Sequence, residues 1–109
     1  MVAMNDIQAV VDRIAAAYDP ECVVLFGSHA RGTATSDSDV DLLIILAFEG
    51  KPFWKSLEIL NRVNPPFAVD LLARRPDDTQ RRYAQGDPLI REAQDQGRVL
   101  YERSRARVD

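Results

Sequence analysis

Apolar residues recur along this chain of 109 residues in two spacings, which predict helices and strands in alternation. The helical spacing is clearest between Ile7 and Tyr18, with Asn5 as a candidate cap before it and Asp19-Pro20 as its end. Further helices are predicted at 28–32, 53–64, 79–85 and 88–96. Strands are predicted at 21–26, 40–46, 67–73 and 98–102. This alternation favours an α/β or mixed α+β fold.

The predicted strand at 21–26 has almost no polar alternation, which indicates that both of its faces are covered. The run from Val40 to Leu46 is the most apolar and therefore suits the centre of a sheet. In the helix at 53–64, one apolar face is predicted to contain Phe53, Leu57, Leu60 and Val63. Phe53 and Trp54 are interpreted as core or partner-facing residues rather than as a platform for stacking bases.

The composition is that of an ordinary globular protein, with 46% hydrophobic and 28% charged residues. This length suits one domain and not two, so 1–109 is predicted to be a single domain with 103–109 as a frayed tail. The net charge of −3 argues against direct nucleic-acid binding driven by bulk charge. The sequence has no membrane span and no signal-peptide pattern, which predicts a cytoplasmic protein with no membrane association.

Two aspartates open the most apolar strand. Asp39 and Asp41 are two positions apart, so in a strand their carboxylates point to the same side. Two like charges this close are unfavourable unless a cation neutralises them or one carboxylate takes up a proton. Oxygen-only ligands suit Mg²⁺ or Mn²⁺, especially together with substrate phosphates. The pair is therefore a candidate metal site.

A third aspartate, Asp70, lies in the middle of the predicted strand at 67–73 among apolar residues. A lone acid in such a place is costly unless it is paired or binds metal. Three acids on neighbouring strands could hold two metal ions about 3.5–4 Å apart across a phosphoryl group in transfer. Asp39, Asp41 and Asp70 are the predicted metal ligands.

Before the acids, a small-residue turn interrupts the chain. Gly27 lets the backbone approach a ligand, and Ser28 offers a hydroxyl and an N–H at the start of a helical turn, which favours anions. Arg31 could contact a phosphate or pair with an acid. Taken singly, each of these features is usually a turn, a loop or a surface ion pair. His29 and Asp37 are interpreted as loop residues, although His29 stands next to Ser28.

Together these residues carry a resemblance to a known family. Gly27-Ser28, ten residues and Asp39-Val40-Asp41 match the GSx10DxD signature of the DNA polymerase β-like nucleotidyltransferases. The fuller run from Gly27 to Leu42 is similar to the minimal nucleotidyltransferase (MNT) branch. The resemblance implies a mixed sheet of about three to four strands flanked by helices, with two divalent metals, Mg²⁺ or Mn²⁺.

The resemblance also implies roles for single residues. Asp39 and Asp41 would bind metal, and Asp70 would be the third carboxylate, which helps to activate the attacking hydroxyl. Gly27 and Ser28 would hold the nucleotide triphosphate. Further nucleotide-binding candidates in the same run are Arg31 and Ser38. The implied reaction transfers a nucleoside monophosphate to a hydroxyl and releases pyrophosphate.

Larger members of the family have a second domain for the acceptor. In size and motif this chain resembles the MNT antitoxins, which use ATP to AMPylate a tyrosine of a HEPN ribonuclease toxin. The expected substrate is therefore ATP and the expected partner a HEPN-domain toxin, in a homo- or hetero-oligomer. Two alternatives stay open: a non-catalytic module that neutralises the toxin by docking, and a nucleotidyltransferase acting on a small molecule.

Overall fold

The computed structural model describes residues 2–103. Within them, five helices pack on a mixed sheet of four strands. The helices are α1 (Met4–Tyr18), α2 (Ser28–Arg31), α3 (Pro52–Val63), α4 (Pro76–Ala84) and α5 (Pro88–Gln96). The strands are β1 (Cys22–Phe26), β2 (Val40–Ile45), β3 (Val69–Arg74) and β4 (Arg98–Glu102).

The four strands form one sheet in the order β3-β2-β1-β4. β1 is antiparallel to both of its neighbours, whereas β2 and β3 are parallel and α3 makes the crossover between them. The predicted mixed sheet with β2 in an inner position is thus confirmed. Because β2 and β3 run in the same direction, their first residues meet at one end of the sheet.

Helices cover both faces of the sheet. Alternate residues of β2 point to opposite faces: Val40, Leu42 and Ile44 pack with α1 and α3, and Leu43 and Ile45 pack with α5. The α5 side is anchored by two fully buried residues, Ile90 and Ala93. This explains why β1 and β2 show no polar alternation in sequence.

The helix predicted at 53–64 forms as α3, but only part of its predicted apolar face is buried: Val63 is buried and Leu60 packs against the core. Phe53 is 66% exposed and Leu57 is 38% exposed, whereas Ile59 and Val63 are buried. The side of α3 next to β3 is fixed by Ser56, whose hydroxyl accepts from the Ala73 N–H at 2.9 Å and donates to the Pro52 carbonyl. α3 therefore carries two apolar stripes, and only one of them faces the core.

Helix starts also differ from the sequence-based expectation. Asn5 lies inside α1, whose N-cap is Ala3, and Gly27 rather than Ser28 is the N-cap of α2. α4 begins at Pro76, three residues before the predicted start, because proline suits the first turn of a helix. The predicted tail, 103–109, lies outside the described residues except for Arg103, whose N–H donates to the Glu21 carbonyl at 3.0 Å.

No helix between residues 2 and 103 is both long enough and apolar enough to cross a membrane.

Candidate active site

Two of the three predicted metal-binding aspartates are direct neighbours across the sheet. Asp41 and Asp70 are each the second residue of their strand, and the parallel register pairs them with one another. Paired residues on adjacent strands point to the same face, with backbones about 4.8 Å apart. That face is the one covered by α5, because Asp41 alternates with Leu43 and Ile45.

Asp39 precedes β2 and is exposed, two positions before Asp41. The pKa of the Asp41 carboxyl is raised, first by burial and then by the negative charges of Asp70, Asp39 and Glu92. The negative charges of Asp39 and Asp70 therefore both act on the Asp41 carboxylate at the start of β2. Like charges at this spacing create a site that gains free energy when a cation or a proton arrives.

The chemistry of these donors fits a hard divalent cation such as Mg²⁺, because three carboxylates supply oxygen ligands only. Within residues 2–103, no three Asp, Glu, His or Cys side chains are already arranged closely enough to hold a metal ion. Mg²⁺ in such sites takes one or two carboxylates from the protein and completes its shell with waters and substrate phosphates. The paired Asp41 and Asp70 meet that smaller requirement.

Gly27 makes room for the Asp41 carboxylate. Asp41 is paired with Phe26 on β1, so the turn at Gly27 begins beside it. A Cβ atom built on Gly27 would lie 3.1 Å from Asp41 Cγ and would overlap Oδ2. The backbone of Gly27 has φ +74° and ψ −154°, a conformation that residues with a side chain rarely adopt. Glycine is required here by Asp41 as well as by the turn.

Ser28 begins α2, a single turn of helix on the same side of the sheet end as Asp41. The first backbone hydrogen bonds of this turn run from the N–H groups of Ala30 and Arg31 to the Gly27 carbonyl. The N–H groups of Ser28 and His29 precede them and are thus left for other acceptors. They follow Gly27, which lies against the Asp41 carboxylate.

Arg31 and Ser38, the other two nucleotide-binding candidates, are engaged within the protein. The Arg31 guanidinium forms an ion pair with Glu92 of α5. The Ser38 hydroxyl accepts from the Thr35 N–H at 2.9 Å and so shapes the loop before Asp39. The carbonyl of Ser38 lies 3.3 Å from His29 Nε2, which ties this loop to α2.

Glu92 is a member of the site that sequence reasoning missed. It lies between buried Ile90 and Ala93 on α5, binds Arg31 and adds to the negative charge that acts on Asp41. Its position in sequence carries no chemical motif. Only the packing of α5 onto β1 brings it to the end of the sheet, so no pattern within the helix could have identified it.

Comparison with known proteins places the chain in a family. Residues 8–106 match the family described as polymerase beta, nucleotidyltransferase. No curated protein is similar enough in sequence to be matched.

Solved structures share the fold at low sequence identity. A candidate nucleotidyltransferase from Sulfolobus solfataricus has a TM-score of 0.63 at 20% identity, over 91% of this chain and 79% of the other. A toxin–antitoxin complex with AMP-PNP, and a mutant of the toxin–antitoxin MntA–HpeT with two aspartates changed to glutamate, each give a TM-score of 0.55 at 18% identity. These two cover 87% of this chain and 73% of theirs. With its family match over nearly the whole sequence, and with the mixed sheet that the motif implied, this chain belongs to the polymerase β nucleotidyltransferase family.

Proposed function

We propose that this chain is a metal-dependent nucleotidyltransferase that transfers AMP from ATP to a tyrosine hydroxyl of a HEPN ribonuclease toxin and thereby acts as its antitoxin. One observation carries the proposal: Asp41 and Asp70 are paired across β2 and β3, and the Asp41 carboxylate fills the space left by Gly27. Membership of a nucleotidyltransferase family supports the class of reaction.

The proposed step is an in-line displacement at the α-phosphorus of ATP. The acceptor oxygen forms the new bond to phosphorus, the bond from phosphorus to the bridging oxygen breaks, and pyrophosphate leaves. Asp70 takes the proton of the attacking hydroxyl, and the N–H groups of Ser28 and His29 bind triphosphate oxygens. Asp39, Asp41 and Asp70 would hold Mg²⁺ or Mn²⁺, which when bound supplies positive charge at the attacking and leaving oxygens.

The antitoxin role has separate support. Two of the structures with the same fold are toxin–antitoxin complexes, and one of them contains AMP-PNP, an analogue of ATP. Asp70 is exposed to solvent on an edge strand. A partner protein could therefore bring its acceptor hydroxyl to Asp70.

The test is incubation of the chain with labelled ATP, Mg²⁺ and the product of the neighbouring gene. We expect label on that protein, and we expect Asp39→Asn or Asp41→Asn to lower the rate by about 100-fold or more, because each removes a carboxylate that would hold the metal ion at the reacting phosphate. Asp37→Asn is the matched control, since Asp37 is an exposed acid of the adjacent loop. Full activity in either Asn variant would refute the assignment of the acids.

Two other outcomes point to the alternatives. A stable complex without label, unchanged by the aspartate substitutions, would identify a docking module that inhibits without chemistry. Label on a small hydroxyl compound and none on the protein partner would identify a small-molecule nucleotidyltransferase.

We also predict the stability of the Asp41→Asn variant, so that a loss of activity can be told apart from a loss of folding. The raised pKa of Asp41 means that its contribution to stability is complete below about pH 4, its unfolded range, and declines as pH rises through the higher folded value. Asparagine carries no charge and avoids this loss. In EDTA at pH 7 we therefore expect Asp41→Asn to be at least as stable as the wild type by urea denaturation, with the difference vanishing at low pH. A less stable variant at pH 7 would contradict this.

A further inference from the structure

The outer stripe of α3 is the most exposed apolar surface near the candidate site. Phe53 is 66% exposed, Trp54 62% and Leu57 38%, and none of them is needed to fill the core. The rings of Phe53 and Trp54 are 5.0 Å apart and nearly perpendicular, at 77°. A cluster of exposed large side chains with a tryptophan among them is typical of the centre of a protein–protein contact.

Two residues of this stripe, Phe53 and Leu57, line an open groove of about 400 Å³ between α3 and the edge strand β3, and Trp54 lies next to it on α3. Phe53, Leu57 and Leu60 line the groove on the helix side, and Asp70 lines it on the strand side. The groove therefore brings part of the apolar stripe and one of the three candidate catalytic acids to one surface.

The groove is also lined by positively charged side chains. Arg74 and Arg82 line it four and twelve residues after Asp70. Arg82 is paired with Asp78, but Arg74 has no carboxylate partner among residues 2–103 and donates only to the Ala73 carbonyl at 2.8 Å. Burial and the neighbouring charge of Arg82 lower the pKa of Arg74. An arginine of this kind gains from an added carboxylate.

We propose that the groove between α3 and β3 is where the acceptor protein docks: an apolar segment of the acceptor covers Phe53, Trp54 and Leu57, an acidic side chain pairs with Arg74, and the acceptor hydroxyl lies at Asp70. This proposal rests on the proposed function, because the docked protein is the acceptor of the transfer. It adds to that function the place and the chemistry of the partner: an apolar protein surface with a carboxylate near its reactive hydroxyl.

The observations favour a protein over the other occupants. A small molecule in the groove would leave Trp54 uncovered, because Trp54 lies on α3 outside the residues that line the groove. A second copy could pair its Arg74 with Asp70, but it would then block the carboxylate that the transfer needs. A protein acceptor covers the stripe and brings its own hydroxyl to the acid.

The experiment measures steady-state transfer of label from ATP to the product of the neighbouring gene. The double variant Phe53→Ala/Trp54→Ala and the single variant Arg74→Gln are compared with the wild type. We expect the KM for the acceptor to rise about tenfold or more in the double variant, with kcat at saturating acceptor unchanged and the affinity for Mg²⁺ and AMP-PNP within about twofold of the wild type. Arg74→Gln should raise the same KM.

Matched controls come from the opposite edge of the sheet. Val99 on β4 is 57% exposed and Arg98 is its exposed neighbour, so Val99→Ala and Arg98→Gln shorten an exposed apolar side chain and remove an exposed positive charge at the edge opposite β3. These controls should leave KM unchanged. Leu57→Ala provides an independent variant of the groove if the double variant proves unstable by thermal denaturation.

Failure of the docking surface can be told apart from failure of the proposed function. If the wild type labels the partner and the groove variants keep the wild-type KM, the docking surface is wrong and the function stands. If the wild type labels nothing, the proposed function is wrong and the docking surface falls with it. A dimer of the chain alone that Phe53→Ala/Trp54→Ala dissociates in sedimentation would assign the groove to a second copy and overturn the proposal.

Discussion

At the scale of single residues, Gly27 and Asp41 depend on each other. The carboxylate of Asp41 occupies the space that a side chain on residue 27 would need, and the turn requires a positive φ at the same place. Two demands, one steric and one conformational, thus converge on one position. The motif glycine is explained by its protein neighbour before any ligand is considered.

We therefore predict that Gly27→Ala is both destabilised and inactive. The positive φ costs of the order of 1–3 kcal/mol, and the overlap of the new Cβ with Asp41 adds to it and displaces the carboxylate. The measurement is the free energy of unfolding in urea, together with the transfer rate. Gly50→Ala is the control, since Gly50 also has a positive φ, +88°, but has open space around it. Equal losses for the two variants would contradict the steric part.

At the scale of elements, α5 connects the site to the core. Its N-cap Asp87 accepts hydrogen bonds from the N–H groups of Leu89 and Ile90 at 3.0 and 3.2 Å, and Ile90 and Ala93 pack against the sheet. The same helix carries Glu92 to Arg31. The cap at Asp87 thus stabilises the helix that positions Glu92, the ion-pair partner of Arg31.

We predict that Asp87→Ala destabilises the protein by about 1 kcal/mol at neutral pH, as expected for the loss of an N-cap. Hydrogen bonds from the N–H groups of α5 lower the pKa of Asp87, so its contribution is present above its unfolded range near pH 4 and is lost as pH falls through the lower folded value. Unfolding curves at a series of pH values test this. A difference between wild type and variant that persists at the lowest pH would contradict the charge-based explanation.

The elements also show how far the sequence could be interpreted. The apolar runs predicted β1 and β2, because the pattern of a strand is local in sequence. The spacing from Gly27 to Asp41 predicted the residues at one end of the sheet. Which of the apolar residues of α3 are buried could not be predicted, since Phe53 and Leu57 are as apolar as Ile59 and Val63 and only the position of the sheet decides between them. The pairing of Arg31 with Glu92 joins residues far apart in sequence and could not be predicted.

At the scale of the whole molecule, the acids lie at the first residues of parallel strands. In open parallel sheets ligands usually bind at the carboxyl ends of the strands. Here the antiparallel β1 ends beside the start of β2, so the turn after β1 reaches Asp41, which is paired with Asp70 on β3. The mixed direction of the sheet is what assembles the candidate site.

We predict that Mg²⁺ stabilises the whole domain. A cation bound to the native carboxylates adds about 1.4 kcal/mol at tenfold excess over its Kd, which should raise the Tm by about 5 °C or more in a domain of this size. Thermal denaturation with MgCl₂ is compared with NaCl at equal ionic strength. Asp41→Asn should remove the difference between the two salts. An equal rise in the variant would mean that Mg²⁺ acts elsewhere.

The order of strands has a consequence for synthesis. β1, although translated early, stays at an open edge until its partner β4 has formed from residues 98–102. Until then the backbone groups of an apolar strand remain free to pair with other chains. β4 thus covers the open edge of β1. A chain that ends before residue 98 should therefore self-associate through β1 instead of folding.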